Sequence, residues 1–541
     1  MSDPTPPIQP DPPAQPTPPT WSTPPVYPTP PAHPSGEVFV VSDDAELDTP
    51  DSDSEAMPRP SARRTATVIS GRIVLGLVAV GAIALVAGAA AFLPLPSVAA
   101  RPLSTVVVPV PVAQQIVCPG GLLRLASTSG DNASSVSALG RPTPTSGAVP
   151  SRVEARPFAR SDAGTGGTGA APLLLTTQPG LVGSAAPLLG GAQSESVATD
   201  EFSGLSSAGC VAATGDSWLA GGATSVGRTT LLLLSNPTAV AATVAVQVFG
   251  ESGQVQAPGM SGIAVAAGSQ RVLSLAGFAP GVVSPVVHVQ STGGQVVADL
   301  EQSTVRGLVP GGIDFVGPES GPQTTTVIPG VSLVGTAAMQ NDLGQSGFDD
   351  LQTVLRVYLP GTGTAKASID ILAEDGSVQR KPITADLDAG TVVDLPLDNL
   401  SDGDYTIVVK SSRPVVAGVR VSTVGSAASG AGADFAWASA APLLTSRALV
   451  AVASGVTPLL HLENPTGTAQ SVSLSPRSGA DITATVPPES AVSVPVLPGQ
   501  TYQLTGFVEL YAAVSGTTDG GVTSYAISPS TPGDGPLRVY R

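Results

Sequence analysis

Hydrophobic positions fall along this chain in two rhythms. Residues 73–93 form one uncharged apolar run. At a helical rise of ~1.5 Å per residue, that run covers the roughly 30 Å core of a bilayer. A helix there satisfies its own backbone polar groups, as lipid exposure requires. Beyond residue 100 the rhythm changes. Short stretches of alternating valine, leucine and threonine are separated by glycine, proline and asparagine, which is a strand-and-turn pattern.

The strand pattern repeats. Residues 231–238, 354–361 and 459–466 open with the same strand and turn, and the first and third close on Asn236-Pro237 and Asn464-Pro465. The residue before proline is held extended and proline cannot donate onward, so each strand ends there. A second strand follows at 242–249, 365–372 and 469–474, then a turn near Gly253, Gly376 and Gly479. Split strand pairs come next at 263–275, 383–397 and 482–496, and final strand stretches at 285–302, 405–423 and 502–517. This period is close to the size of one antiparallel sandwich. The pattern predicts an all-β region of tandem immunoglobulin-like β-sandwiches at 215–320, 324–438 and 442–530, with linkers at 316–323 and 425–432. Residues 96–214 read as a stem and irregular β region. Within it, 105–117 reads as a strand pair broken by Pro109 and Pro111, and 127–169 as loop. Residues 531–541 read as a C-terminal tail.

Charge adds a topology. Arg59, Arg63, Arg64 and Arg72 precede the apolar run and the next basic residue is Arg101. That asymmetry predicts a transmembrane helix over 69–95, with the amino terminus cytoplasmic and the body extracellular at the plasma membrane. A cleaved signal peptide is the rival, with Val98 and Ala100 as small residues near a cleavage point, although its apolar region would typically be shorter. Residues 1–68 carry 15 prolines in the first 34 positions and then an acidic stretch from Asp43 to Glu55. This composition predicts disorder. The tail serves either as a docking or phosphorylation segment, through Thr17, Thr20, Thr23, Thr29, Ser42, Ser52 and Ser54, or as a solvated spacer. Val38-Phe39-Val40-Val41 is its one apolar contact. With 24 Lys+Arg against 41 Asp+Glu, the net charge of −17 argues against nucleic acid as a partner.

The chemistry that the sequence offers is sparse. Cys118 and Cys210 are the only cysteines. They allow one intrachain pairing and lie in the segment placed outside the cell, which predicts a disulfide. His33 falls in the tail, whereas His288 and His461 fall within strands and read as packing residues. Spacings for a zinc site, a nucleophile elbow or a phosphate loop are absent from the sequence. No catalytic, metal or cofactor site is therefore expected, and the chain reads as a non-enzyme. Asn341, Asp342, Asp349 and Asp350 cluster oxygens but match no calcium loop, and read as a solvated acidic loop. Trp218 and Trp437 lie near sandwich boundaries, where burial is the expectation and a sugar platform the alternative.

Several segments between residues 218 and 330 carry a family likeness: Gly221-Gly222-Ala223-Thr224, Gly227-Arg228-Thr229, Asn236-Pro237, Arg306 through Asp314, and Val327-Ile328-Pro329-Gly330. They resemble an uncharacterised membrane-anchored actinobacterial envelope family, known as a domain of unknown function. The likeness spans about 101–530. The resemblance implies an envelope location and supplies no functional residue. Arg306 and Asp314 are expected to form a buried ion pair at a sandwich junction, with a ligand site as the alternative. The function expected is a structural or interaction protein of the cell envelope, anchored by a single membrane span and contacting an envelope protein or glycan. The alternatives are a carbohydrate- or glycolipid-binding accessory of an envelope enzyme, a hydrolase assembled from several domains around His288 or His461, and a sensor with a phosphorylated tail.

Overall fold

The structure is a computed structural model. The chain divides into two parts, residues 1–100 and 101–541. The described residues are 104–107, 112–125, 135–160, 170–179, 186–345, 347–377, 381–425, 432–529 and 537–540, all in the second part. The apolar run at 73–93, the tail with His33 and Val38 to Val41, and most of 531–541 lie outside them. Among the described residues, no helix is long and apolar enough to cross a membrane.

The described chain is all-β with one short α-helix, Thr336–Asp342. Eight strands recur in one order. The unit that begins at Asp216–Ala220 continues through Arg228–Asn236, Ala242–Gly250, Ile263–Val265, Ser269–Ser274, Val286–Gly293, Val297–Arg306 and Val309–Val316, with Gly253–Val255 as an extra hairpin arm. Counting those eight in order, one sheet runs 1-6-3-4 and the other 8-7-2-5. A further unit repeats both orders from Gln323–Leu333 to Ala433–Ser439. There the single strand Gly403–Val424 supplies the sixth and seventh positions by passing from one sheet to the other. Another unit repeats them from Ala448–Ala451 to Gly521–Ala526. Each encloses its own apolar core.

The stem expected over 96–214 is itself a sandwich-like unit. Gln115–Cys118, Leu173–Thr176 and Glu154–Pro157 form a sheet in the order 1-6-3, and Ser203–Gly209, Leu188–Ala198 and Thr143–Val149 form one in the order 8-7-2. It is the same plan, with no counterpart of the fourth and fifth strands in these two sheets among the described residues. Three readings are corrected by this. The segments around Pro109 and Pro111 do not pair with each other: Ser104–Val107 pairs with Leu537–Tyr540, and Gln115–Cys118 with Leu173–Thr176. The stretch 127–169 contains the strands Val136–Ala138, Thr143–Val149 and Glu154–Pro157. Residues 425–432 are not a linker between units but join the seventh and eighth strands of the third unit. The alternation was hidden because small residues replace large apolar ones where another backbone comes close. A Cβ on Gly190 would lie 2.5 Å from the Leu449 carbonyl oxygen, and one on Gly147 2.9 Å from Thr501 Oγ1.

Cys118, at the end of this first unit's first strand, is disulfide-bonded to Cys210, just after its eighth. The bridge spans 92 positions of chain, so on a chain-entropy argument it contributes roughly 4–5 kcal/mol. That is a large share for a unit with four buried apolar groups in its own cluster.

The four units do not hang as separate beads. The 1-6-3 face of each packs on the 7-2-5 face of the next. Val117 and Phe158 of the first unit meet Val297 of the second. Trp218, Phe249 and Val286 of the second meet Tyr358, Val392 and Val416 of the third. Val327, Leu372 and Val408 of the third meet Ala491 and Tyr511 of the fourth. The fourth returns to the first: Ser194 Oγ donates to the Ser454 carbonyl (2.7 Å), and Ala192 joins the fourth unit's core. The order is thus a closed ring. This double burial explains the unbroken run Leu231 to Leu234. Leu232 and Leu234 fill their own core, while Leu231 and Leu233 face Leu122 and Leu123 of the first unit.

Candidate functional site

The eighth strands of all four units, Ser203–Gly209, Val309–Val316, Ala433–Ser439 and Gly521–Ala526, converge at the ring's centre. Close approach there requires glycine. Gly204 and Gly312 both abut Asp434 Oδ1, and Gly312 has a φ of 111°, where a side chain would also strike Phe435. Two carboxyl groups occupy this hub. Asp434 accepts from Leu205 N of the first unit (2.9 Å) and Val522 N of the fourth (3.4 Å). Asp314 accepts from Ser206 Oγ (2.8 Å), Trp437 N (3.2 Å) and Thr523 Oγ1 (3.4 Å). Burial pushes Asp434 up to about 8. Asp314 is raised well above the ordinary carboxylate range by burial, and further by the charge of Asp434. The junctions repeat this device. Glu301 accepts from Leu123 N of the first unit (2.8 Å) and is raised by burial to about 8. Glu319 accepts from Ala417 N of the third (3.2 Å) and is likewise raised by burial.

Two of the junctions carry a polar group at one position, the middle of the second strand on its outward face. That position is Arg356 in the third unit and His461 in the fourth, where the second unit has the apolar Leu233. Arg356 is 1% exposed. Its Nε and Nη2 donate to Asp394 (2.8 and 3.0 Å), and Nη1 donates to the Gly222 and Pro285 carbonyls of the preceding unit (2.9 and 3.1 Å). Its guanidinium stacks 4.7 Å over the Trp437 ring. Asp394 is held below the ordinary range: burial opposes this, but the charge and hydrogen bonds of Arg356 win.

His461 is 0% exposed. Its Nδ1 lies 2.7 Å from Glu374 Oε2 of the third unit, and its Nε2 lies 2.7 Å from Ser515 Oγ of its own. Thr406 Oγ1 donates to the other Glu374 oxygen (2.8 Å). Ser332 Oγ is 2.9 Å from Ser515 Oγ and donates to Asp404 (2.6 Å). Hydroxyl, imidazole and carboxylate thus stand in the order of a nucleophilic relay. The relay is closed, however: Ser515 is 1% exposed, and none of the four described cavities is lined by any of the three groups. What the arrangement does is join two units. Burial lowers the affinity of His461 for its proton, but the charge of Glu374 and the hydrogen bond to it raise the pKa above the ordinary value.

The other residues singled out in the sequence fall as follows. Trp218 and Trp437 are both buried. Trp218 stacks on His288 with centroids 3.9 Å apart, and Trp437 Nε1 donates to Gln302 Oε1 (2.9 Å), so neither ring forms an open platform. His288 lies between Asp216 Oδ2 (2.9 Å) and Gln247 Oε1 (3.1 Å). Arg306 does not pair with Asp314. It pairs with Asp350 (Nε 3.0 Å, Nη2 2.9 Å), which Arg228 also holds (2.8 Å). Asp350 is therefore not a solvated acid but a clasp drawing the third unit's long loop onto the second. Asp314 is instead met by neutral donors. Among the described residues, no group of three or more His, Cys, Asp or Glu side chains could hold a metal ion. Sequence reasoning missed Arg356, Glu374, Ser515 and Asp434. The available signal for Arg356, Ser515 and Asp434 was their place in strands with too few polar positions for a surface-facing sheet; Glu374 opens the turn after its strand.

The largest described cavity, of about 380 Å³, is an open part of the third unit's 6-3-4 face, lined by Lys366, Ser368, Thr384, Asp386 and Lys410. Lys366 pairs with Asp386 and Lys410 with Asp370, leaving the cleft polar and nearly neutral.

Comparison with known proteins gave three results. A family described as "Family of unknown function (DUF5719)" matches residues 163–497. No curated protein matches the chain. A solved structure titled "Biofilm associated protein - BSP domain" is similar over 81% of this chain and 100% of its own, at 10% identity. Its TM-score is 0.10, so the likeness carries no argument.

Proposed function

The chain belongs to the DUF5719 family of unknown function, and on that footing we propose that it is a non-catalytic interaction protein of a bacterial cell envelope, anchored by one membrane span. In this reading the run at 73–93 crosses the membrane, the arginines before it hold the proline-rich tail in the cytoplasm, and the immunoglobulin-like ring stands outside as a rigid platform. The observation that carries the reading is the use made of reactive groups. His461, Ser515 and Glu374, the best nucleophilic constellation among the described residues, are wholly enclosed and spent on joining two units. Partners meet the loops and outer faces by surface contact, without bond-making. The packing of the four units against one another supports this, because a preformed surface loses little freedom on binding.

A second reading, a carbohydrate- or glycolipid-binding accessory, no longer rests on the tryptophans. It rests on the open cleft at Lys366 and Lys410, whose paired charges and hydroxyls suit a polyhydroxylated ligand. Crosslinking in intact cells followed by mass spectrometry tests both readings. Recurrent links from surface residues of the ring to one or a few envelope proteins are expected. Links dominated by glycan at the Lys366 cleft favour the second reading. Protection of the ring from protease added to whole cells, with crosslinks only to cytoplasmic proteins, overturns both.

A further inference from the structure

The third and fourth units meet around a buried histidine, and the chemistry around it is asymmetric. From the third unit, Glu374 and Asp404 face His461, with Thr406 and Ser332 completing the hydrogen bonds. From its own sheet come Ser515 and, two residues along its strand, Glu463, which adjoins Tyr511. The nearby cation is Lys410, already paired with Asp370 at 3.0 Å. With a proton on each ring nitrogen, His461 donates to Glu374 and to Ser515. Ser332 Oγ lies within donating distance of both Ser515 Oγ and Asp404, so each of the histidine's two protons meets an acceptor in a hydrogen-bonded chain. Without the second proton Nδ1–H can still donate to Glu374, whose side chain is 0% exposed, but the histidine no longer supplies a charge to balance Glu374 and Asp404. A buried carboxylate that loses its countercharge is strongly destabilising.

We propose that His461 is a proton-operated lock on this junction: protonated, it holds the fourth unit to the third, and on losing its proton it lets the two part. Parting uncovers Val327, Leu372 and Val408 on one side and Ala491 and Tyr511 on the other, an apolar surface that the closed ring hides. The sign follows from the environment. A histidine whose pKa is raised in the folded state lends its full stabilisation below about 6.5 and loses it as the pH rises through the folded value.

Glu463 faces the same junction and is pushed up to about 8 by burial, so the test uses the full chain carrying Glu463→Gln. Hydrogen exchange of the strands Thr457–Asn464 and Tyr511–Thr518 is followed from pH 6 to 9, corrected for intrinsic rates. Protection in those strands falls at least tenfold more over that range than in the strand Ala242–Gly250, which carries only the loss shared by the whole ring. Adding His461→Gln removes that excess. No excess with histidine present, or the same excess without it, overturns the lock. Should the double variant fail to fold, the ring-proton titration of His461 in the Glu463→Gln protein decides: a midpoint above 6.5 supports the lock and one below it refutes it.

Discussion

Replacing Arg356 with alanine should cost about 3–5 kcal/mol of stability, the range for removing one partner of a buried ion pair. The reason lies in what stays behind. Asp394 loses a bidentate partner inside the junction, and the carbonyls of Gly222 and Pro285 lose their donor in a place water does not reach. Trp437 loses the cation over its ring. Replacing both members of the pair, Arg356→Met with Asp394→Leu, should recover most of the loss, because well-packed apolar groups can replace a buried pair at little cost. Denaturant unfolding monitored by tryptophan fluorescence reads the result directly, since Trp218 and Trp437 both sit at this junction. An exposed, merely decorative arginine would give less than about 1 kcal/mol, and that outcome would strip Arg356 of its role at the junction.

The second large effect is on pH. The ring's carboxyl groups at Asp299 (about 7), Glu301 (about 8) and Asp434 (about 8) are raised first by burial, as are Asp314 and Glu319. A carboxyl raised in the folded state binds its proton more tightly there than in the unfolded chain. Its contribution is complete below the ordinary carboxylate range and is lost as pH climbs through the folded value. Every tenfold gain in proton affinity on folding corresponds to about 1.36 kcal/mol. Several groups together should therefore lower stability by on the order of 5 kcal/mol between pH 5 and pH 9. Most proteins show no such slope there. Asp434→Asn, which keeps the shape without the charge, should flatten part of it and raise the melting temperature at pH 9 relative to the parent. Melting curves across that range check the prediction, and a parent protein equally stable at pH 5 and pH 9 would contradict it.

Much of the strand order was legible in the sequence. The Asn-Pro turns after Leu234-Ser235 and Leu462-Glu463, and the Val244, Val246 and Val248 alternation, place the second and third strands because local turn chemistry and a period of two are written residue by residue. The single cysteine pairing was legible for the same reason. The ring was not, because alternation records which side of a strand is apolar and not what covers it. Leu231 to Leu234 held the clue, since a strand apolar on both sides must be buried on both. The first unit was read as a stem and irregular β region, with 127–169 as loop, because Gly147, Gly190 and Ala192 supply its packing by being small. Arg306 and Asp314 were rightly singled out and wrongly paired: their true partners, Asp350 and the backbone of Trp437, lie far along the chain, where spacing gives no guidance. Trp218 and Trp437 were placed correctly at junctions, since large rings near a boundary have little else to cover them.

Small-angle X-ray scattering on residues 101–541 tests the closed ring most directly. Four units packed around one hub should give a radius of gyration near the compact-domain value for this length, about 22 Å, unchanged by dilution. The same four units strung end to end would give roughly twice that, and such a value would contradict the ring, the hub and every role assigned to them.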